Sequence, residues 1–227
     1  MGLILSIETS TTVCSAALHR EGELLASEIT EVPNSAASQL AVMIDKILSR
    51  AGVVARDLSA VAVSAGPGSY TGLRIGVATA KGVCYALGIP LIAVNSLELM
   101  AAQVTENNPG GAWLCPMIDA RRMEVYTMLF DNGLGVIEPV RASVIDASSY
   151  AAVVEKREVL FFGNGSDKCR DVITHPNAKF VSGMFPSAEW LGRLALERLR
   201  AGKFEDVGEF EPFYLKDFIA KKPKSLV

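Results

Sequence analysis

The run Gly66-Pro67-Gly68-Ser69-Tyr70-Thr71-Gly72-Leu73-Arg74-Ile75-Gly76 constrains the fold of this chain more than any other segment. Ahead of it, Ala60-Val61-Ala62-Val63-Ser64 is short, apolar and β-branched, the pattern of a buried strand. Behind it, residues 71–87 are rich in Ala, Leu, Ile and Val, and Gly88-Ile89-Pro90 closes them as a helix closes. A glycine-rich turn from strand into helix aims backbone N–H groups at one point, which suits an anion. The spacing is nevertheless neither G-x-x-x-x-G-K-[ST] nor G-x-G-x-x-G, since Thr71 stands where the third glycine belongs. The turn is distinctive without being a standard nucleotide loop.

The surrounding periodicities give a first α/β lobe. Residues 3–7, 13–18 and 24–30 read as consecutive strands, with Arg20-Glu21-Gly22-Glu23 turning between the last two. Leu40, Met43, Ile44, Ile47, Leu48 and Ala51 then recur at helical spacing, with Asn34 or Ser35 as cap and Gly52 as stop. Strands at 61–64 and 91–94 flank the 71–87 helix. This order supports an α/β fold with a mixed sheet. In the second half, 113–118, 124–131 and 159–162 are strand-like, and Asn132-Gly133 marks a turn. Ser187 caps a helix with Leu191, Leu194, Ala195 and Leu199 on one face, ending at Gly202.

Composition narrows the function classes. A chain of 227 residues, half of them apolar and 21% charged, can bury a sizeable core and is not disordered. Its net charge of −3 argues against a protein that grips nucleic acid alone. Cys14, Cys84, Cys115 and Cys169 form no C-x-x-C pair, which fits reduced thiols in a cytoplasmic protein. No signal peptide or membrane span is visible, and the formal myristoylation match of Met1-Gly2 through Ser6 stands directly before a core strand.

Four segments, Ile7-Glu8-Thr9-Ser10, the 66–76 run, Ala80-Lys81-Gly82 and Ile118-Asp119-Ala120-Arg121-Arg122-Met123-Glu124-Val125-Tyr126, resemble the bacterial TsaB (YeaZ) family. That resemblance covers nearly the whole chain in order. It implies an actin/Hsp70/sugar-kinase-like (ASKHA) two-lobed α/β fold with a reduced second lobe. The first lobe is expected over 1–98, the second over 99–211, with 212–227 packing back on the first. It also implies a non-catalytic paralogue of the TsaD enzymes, serving the threonylcarbamoyl (t6A) modification of adenosine in tRNAs that read ANN codons. The implied partners are TsaD and the ATPase TsaE, with a homodimer in isolation, tRNA only through the complex, and no membrane. Glu211-Pro212-Phe213-Tyr214-Leu215-Lys216 matches the family's closing Pro-x-Tyr-Leu-Arg pattern with Lys for Arg.

Where TsaD-type enzymes carry Asn-His-x-x-x-His for a catalytic metal, this chain reads Asn95-Ser96-Leu97-Glu98-Leu99-Met100. A hydroxyl and a thioether do not replace two imidazoles. His19 and His175 are far apart in sequence, so no metal, cofactor or catalytic residue is expected. Glu8 and Asp119 are candidates for an acid–base pair or for residues that hold backbone turns. Gly163-Asn164-Gly165-Ser166 is either a plain turn or the remnant of a second-lobe phosphate loop. The alternative function left open is a weak ATP-using phosphotransferase or hydrolase.

For the partner interface, Gly72, Gly76 and Ala80 share one side of their helix, and small residues at that spacing permit close helix approach. With Ile75 and Val83, and with Leu40, Met43 and Ile47 of the preceding helix, they form the expected contact with TsaD or a second copy. On this reading Gly76→Leu or Ala80→Glu weakens TsaD binding and leaves the chain folded. Arg121 and Arg122 are candidate interface or anion contacts. Lys216, Lys221, Lys222 and Lys224 read either as a tRNA-steering tail or as a solvated terminus.

Overall fold

The computed structural model describes residues 2–33, 35–106 and 108–216. In chain order the first elements are β1 (Leu3–Glu8), β2 (Cys14–Arg20), β3 (Glu23–Thr30), α1 (Ala36–Ala51), β4 (Ala60–Gly66), α2 (Tyr70–Leu87), β5 (Leu91–Asn95) and α3 (Ser96–Thr105). They are followed by β6 (Trp113–Asp119), β7 (Glu124–Phe130), β8 (Val136–Val144), α4 (Ala151–Val154), β9 (Val159–Phe162), β10 (Ala178–Val181) and α5 (Ala188–Arg200). Among the described residues the strands form two sheets, ordered β3-β2-β1-β4-β5 and β10-β9-β6-β7-β8. In the first, β1 runs antiparallel to β2 and parallel to β4, so the sheet is mixed as the element order predicts.

Strands β1 and β4 are mostly apolar and buried almost throughout because both of their faces are covered. On one face Leu5, Ile7, Val61 and Val63 pack against Leu40, Met43 and Ile47 of α1 and Val77 and Ala80 of α2. On the other, Ile4, Ala62, Ile92 and Val94 meet Leu99 of α3 and Leu191 and Ala195 of α5. Helix α5 therefore crosses the division drawn from sequence order, which put it with 99–211: it covers the first sheet. Its apolar stripe fixes which side of the helix is buried, and only the tertiary structure shows which sheet receives it.

Helix α3 joins the two sheets. Asn95 caps it, accepting from the N–H groups of Leu97 and Glu98 at 2.8 and 3.3 Å. Leu99 faces the first sheet, while Leu97, Met100, Ala101 and Val104 pack with Leu114, Phe130 and Phe162 of the second. Ser35 stands at the start of α1 without a side-chain cap bond, and Asn34 lies outside the described residues. Strands β8 and β10 add to the sequence expectation. β8 is an edge strand carrying Pro139, and it contains no fully buried residue.

From α5 the chain returns as a strap across the first lobe. Glu205 N donates to Leu91 O at 2.9 Å and Phe213 N to Ala65 O at 2.7 Å. Lys81 Nζ on α2 donates to the carbonyls of Gly208 and Phe210 at 3.0 and 2.8 Å. The Tyr214 ring lies 4.8 Å from that of Tyr70, and Lys216 reaches Glu124 of the second lobe in an ion pair. Within this closing segment Phe213 is 41% exposed, whereas Tyr214 and Leu215 are half-buried. Lys221, Lys222 and Lys224 lie outside the described residues.

Candidate functional site

Two turns meet at the carboxyl ends of the central strands, β1–β2 and β4–α2. Ser10 N donates to the Glu8 carboxyl at 2.5 Å, and Ser69 N donates to Ser10 O at 2.7 Å. Thr9 Oγ1 donates to Gly72 O at 2.8 Å. A Cβ on Gly68 would overlap the Ser10 carbonyl, one on Gly72 the Thr9 carbonyl, and one on Gly76 the Thr9 hydroxyl. The glycines of the 66–76 run thus let the first turns of α2 sit against the β1–β2 turn. One of the N–H groups expected to face an anion is directed at Ser10 O instead.

Outside this contact lies a cleft of about 450 Å³, with Ser10, Thr11, Thr12 and residues 68–71 on one wall. Ile118, Asp119, Ala120, Arg121, Tyr126 and Asn164 form the other, and Lys216 closes one end. Asp119 pairs with Lys168 and accepts from Arg121 N at 3.2 Å. Arg121 and Arg122 both adopt left-handed backbone, at φ 71 and 52, which non-glycine residues rarely do. Both are exposed, and Arg121 alone of the two lines the cleft.

Glu8 is not part of the cleft wall. It is fully buried beneath the turns, and its Oε2 has no hydrogen-bond partner among the described residues. Burial pushes its pKa above the usual carboxylate value, against the pull of the nearby Ser10 and Ser64 hydroxyls. Glu8 and Asp119 therefore do not face each other across the cleft as an acid–base pair: each holds a turn. Gly163-Asn164-Gly165-Ser166 is also committed to packing. Gly165 N donates to Met117 O, Ser166 Oγ donates to Gly163 O, and Asn164 accepts from Asp119 N. A Cβ at Gly163 would overlap Met117 O.

Ser96 and Met100 are integrated into the cores. The Ser96 hydroxyl is 2.7 Å from that of Ser64, and Met100 packs in the cluster around Phe162. His19 is buried between β2 and α5 under Gly192, and burial holds its pKa below the ordinary histidine value. His175 lies apart, accepting from Asn177 N. All four cysteines are free and buried, and burial pushes Cys115 up to about 12. Among the described residues no helix is long and apolar enough to cross a membrane.

The expected interface residues mostly point inward. Leu40, Met43, Ile47, Gly72, Gly76 and Ala80 are buried in their own lobe, and Ile75 and Val83 are half-buried. Gly76→Leu would drive a side chain into Thr9, and Ala80→Glu would put a carboxylate in the core, so neither leaves the fold intact. The outward residues of α2 include Arg74, Ala78, Gly82 and Tyr85, the last 86% exposed, and those of α1 include Val42, Asp45 and Lys46. Between α2 and the strap lies a groove of about 620 Å³ that includes Tyr70, Arg74, Lys81 and Tyr214. Thr9 and Lys81 were visible in the sequence as motif members. Lys168, the partner of Asp119, carries no local signal there.

The sequence model of the TsaD family, tRNA N6-adenosine threonylcarbamoyltransferase, matches residues 30–224. The tRNA threonylcarbamoyladenosine biosynthesis protein TsaB of Bacillus subtilis is 36% identical over 75% of this chain and 74% of its own length. Its namesake from Escherichia coli is 30% identical over 96% of both chains. Among solved structures, YeaZ from Pseudomonas aeruginosa superposes with a TM-score of 0.81 at 27% identity, covering 95% of this chain and all of that one.

Proposed function

This chain belongs to the TsaB (YeaZ) family of the t6A pathway and has its two-lobed actin-like fold, and from that premise we propose that it is the non-catalytic dimerisation subunit that binds and activates TsaD. The observation that carries the reading is the state of Ser96 and Met100. The positions that correspond to the enzyme's metal-binding histidines are filled by a hydroxyl bonded to Ser64 and a thioether in the second-lobe core. Neither supplies an imidazole to an ion. A second support is that Gly68, Gly72 and Gly76 of the 66–76 run are consumed by packing against Thr9 and Ser10.

The outer face of α1 and α2 is the contact with TsaD, or with a second copy when TsaD is absent. Ala78 and Gly82 lie four apart on the exposed side of α2, and open space surrounds the Cβ position of Gly82. The close-approach role expected of Gly72, Gly76 and Ala80 moves to this pair, with Val42, Ile75, Val83 and Tyr85 around it. TsaE joins the TsaB–TsaD pair, and tRNA meets this chain only through the complex. Arg121 at the cleft wall and the exposed Arg122 next to it in sequence are offered for an anionic contact.

The test is threonylcarbamoyl transfer to tRNA with TsaD, TsaE and a threonylcarbamoyl-adenylate source, with this chain present or omitted. Activity that requires the chain, together with no turnover by the chain alone, is the expected result. Unchanged activity without it overturns the proposal. ATP hydrolysis by the isolated chain would favour a phosphotransferase or hydrolase instead. Ala78→Glu, which leaves the core untouched, is expected to weaken TsaD capture.

A further inference from the structure

The contact proposed above stands on α2, so whatever fixes the axial position of α2 fixes that contact. Two bonds run from the β1–β2 turn to the start of the helix, Ser69 N to Ser10 O at 2.7 Å and Thr9 Oγ1 to Gly72 O at 2.8 Å, and a third, Ser10 N to Glu8 Oε1 at 2.5 Å, holds the turn to the end of β1. We propose that Glu8 is a positioning residue for the partner-binding helix, setting the β1–β2 turn that in turn sets α2. This rests on the reading that α2 carries the TsaD contact.

The steric fit leaves little slack between turn and helix. Atoms of Thr9 and Ser10 occupy the spaces where Cβ atoms would stand on Gly68, Gly72 and Gly76, so a shift of the turn displaces the helix. Glu8 is also a poor choice for stability alone. A fully buried carboxyl whose second oxygen has no hydrogen-bond partner among the described residues is costly, and an apolar side chain of similar volume would suit the site better. What the carboxyl supplies, and an alkyl group cannot, is the acceptor for Ser10 N. The outer side of the same turn, Ser10 to Thr12, is a wall of the inter-lobe cleft. The cleft and the partner face therefore share this turn.

The experiment compares the full-length wild-type chain with Glu8→Gln, Glu8→Leu and the surface control Ala78→Glu. TsaD affinity is measured by calorimetry, thermal midpoints by fluorescence, and amide exchange at Ser10, Ser69 and Leu73 by mass spectrometry or NMR. Glu8→Leu is expected to hold its thermal midpoint, exchange faster at those amides, and bind TsaD about tenfold more weakly, as for loss of one charge-assisted hydrogen bond. Glu8→Gln keeps the acceptor and is expected to stay within about threefold of wild type. If Glu8→Leu binds TsaD like wild type while Ala78→Glu does not, the positioning role is overturned. If Ala78→Glu also binds normally, the interface reading has failed, and amide exchange decides for Glu8: faster exchange upholds the role and unchanged exchange ends it. Should Glu8→Leu not fold, Thr9→Val against Thr9→Ser makes the same comparison at the next bond, with weakened binding in Thr9→Val alone expected and equal binding contrary.

Discussion

A methyl group added at Gly72 has nowhere to go, because the Thr9 carbonyl already holds that space. Overpacking of this kind costs about 1–3 kcal/mol. Gly72→Ala is therefore expected to lower the urea midpoint, whereas Gly82→Ala, with open space around its Cβ, is expected to raise it by up to about 1 kcal/mol of helix propensity. The two glycines lie ten residues apart on one helix, and their sequence contexts do not distinguish them. Spacing shows which residues share a face of α2 but not which way that face turns, which is why the small-residue stripe legible at Gly72, Gly76 and Ala80 proves to be internal. Two buried titratable residues make opposite predictions for acid. His19 is held below its ordinary value of 6.5, so as pH falls below 6.5 the unfolded chain takes the proton first and the folded state loses stability. Glu8 is held above its ordinary 4.5, so the folded state takes the proton first and gains stability as pH falls through the raised value towards 4.5. Urea midpoints at pH 7, 6 and 5 should show His19→Leu losing less stability on acidification than wild type, and Glu8→Gln losing more. The reverse pattern would contradict both assignments.

Helix α2 is held on three sides: the sheet beneath it, α1 beside it, and the strap at residues 204–216 on its other flank. Lys81 is the tether, with its ammonium bonded to two strap carbonyls. Lys81→Met removes both bonds while keeping the apolar stem, and is expected to cost about 1–2 kcal/mol. It should also speed tryptic cleavage after Lys203, which mass spectrometry would read directly. An unchanged cleavage rate would show that the strap is held by Val207, Phe210 and its main-chain bonds alone. At α3 a different substitution is informative. Replacing Ser96 and Met100 by histidines would place a ring among Leu97, Leu114 and Phe162 rather than at an open site. The double variant is expected to lose about 2 kcal/mol or more through unsatisfied burial, with no gain in zinc binding by calorimetry. The first-lobe elements were legible because strands buried on two faces and helices buried on one leave strong periodic signals. β8 and β10 were not: both stand at sheet edges and contain no fully buried residue, so no apolar run marks them, whereas the equally short β9 carries buried Val159, Phe161 and Phe162.

For the whole molecule, the shared helix matters most. α3 contributes Leu99 to the core under the first sheet and Leu97, Met100 and Val104 to the core under the second, so neither sheet can lose it alone. The two tryptophans report on the two sides, Trp113 from β6 and Trp190 from α5. Trp113→Phe and Trp190→Phe, each leaving one reporter, are expected to show coincident urea transitions. Separated midpoints would mean that the lobes unfold independently. The element order gives an α/β fold with a mixed sheet, and the two-lobed plan follows from the family resemblance. The placement of α5 could not, since an amphipathic stripe is compatible with either sheet. That placement has a consequence for how the protein is made. The ribosome finishes β5 at Asn95 but does not deliver α5 until Ala188, and at about 5–20 residues per second this gap lasts on the order of ten seconds. Throughout that interval Ile4, Ala62, Ile92 and Val94 present a nascent sheet still missing much of its cover, so the last part of the message completes the half of the protein that was translated first.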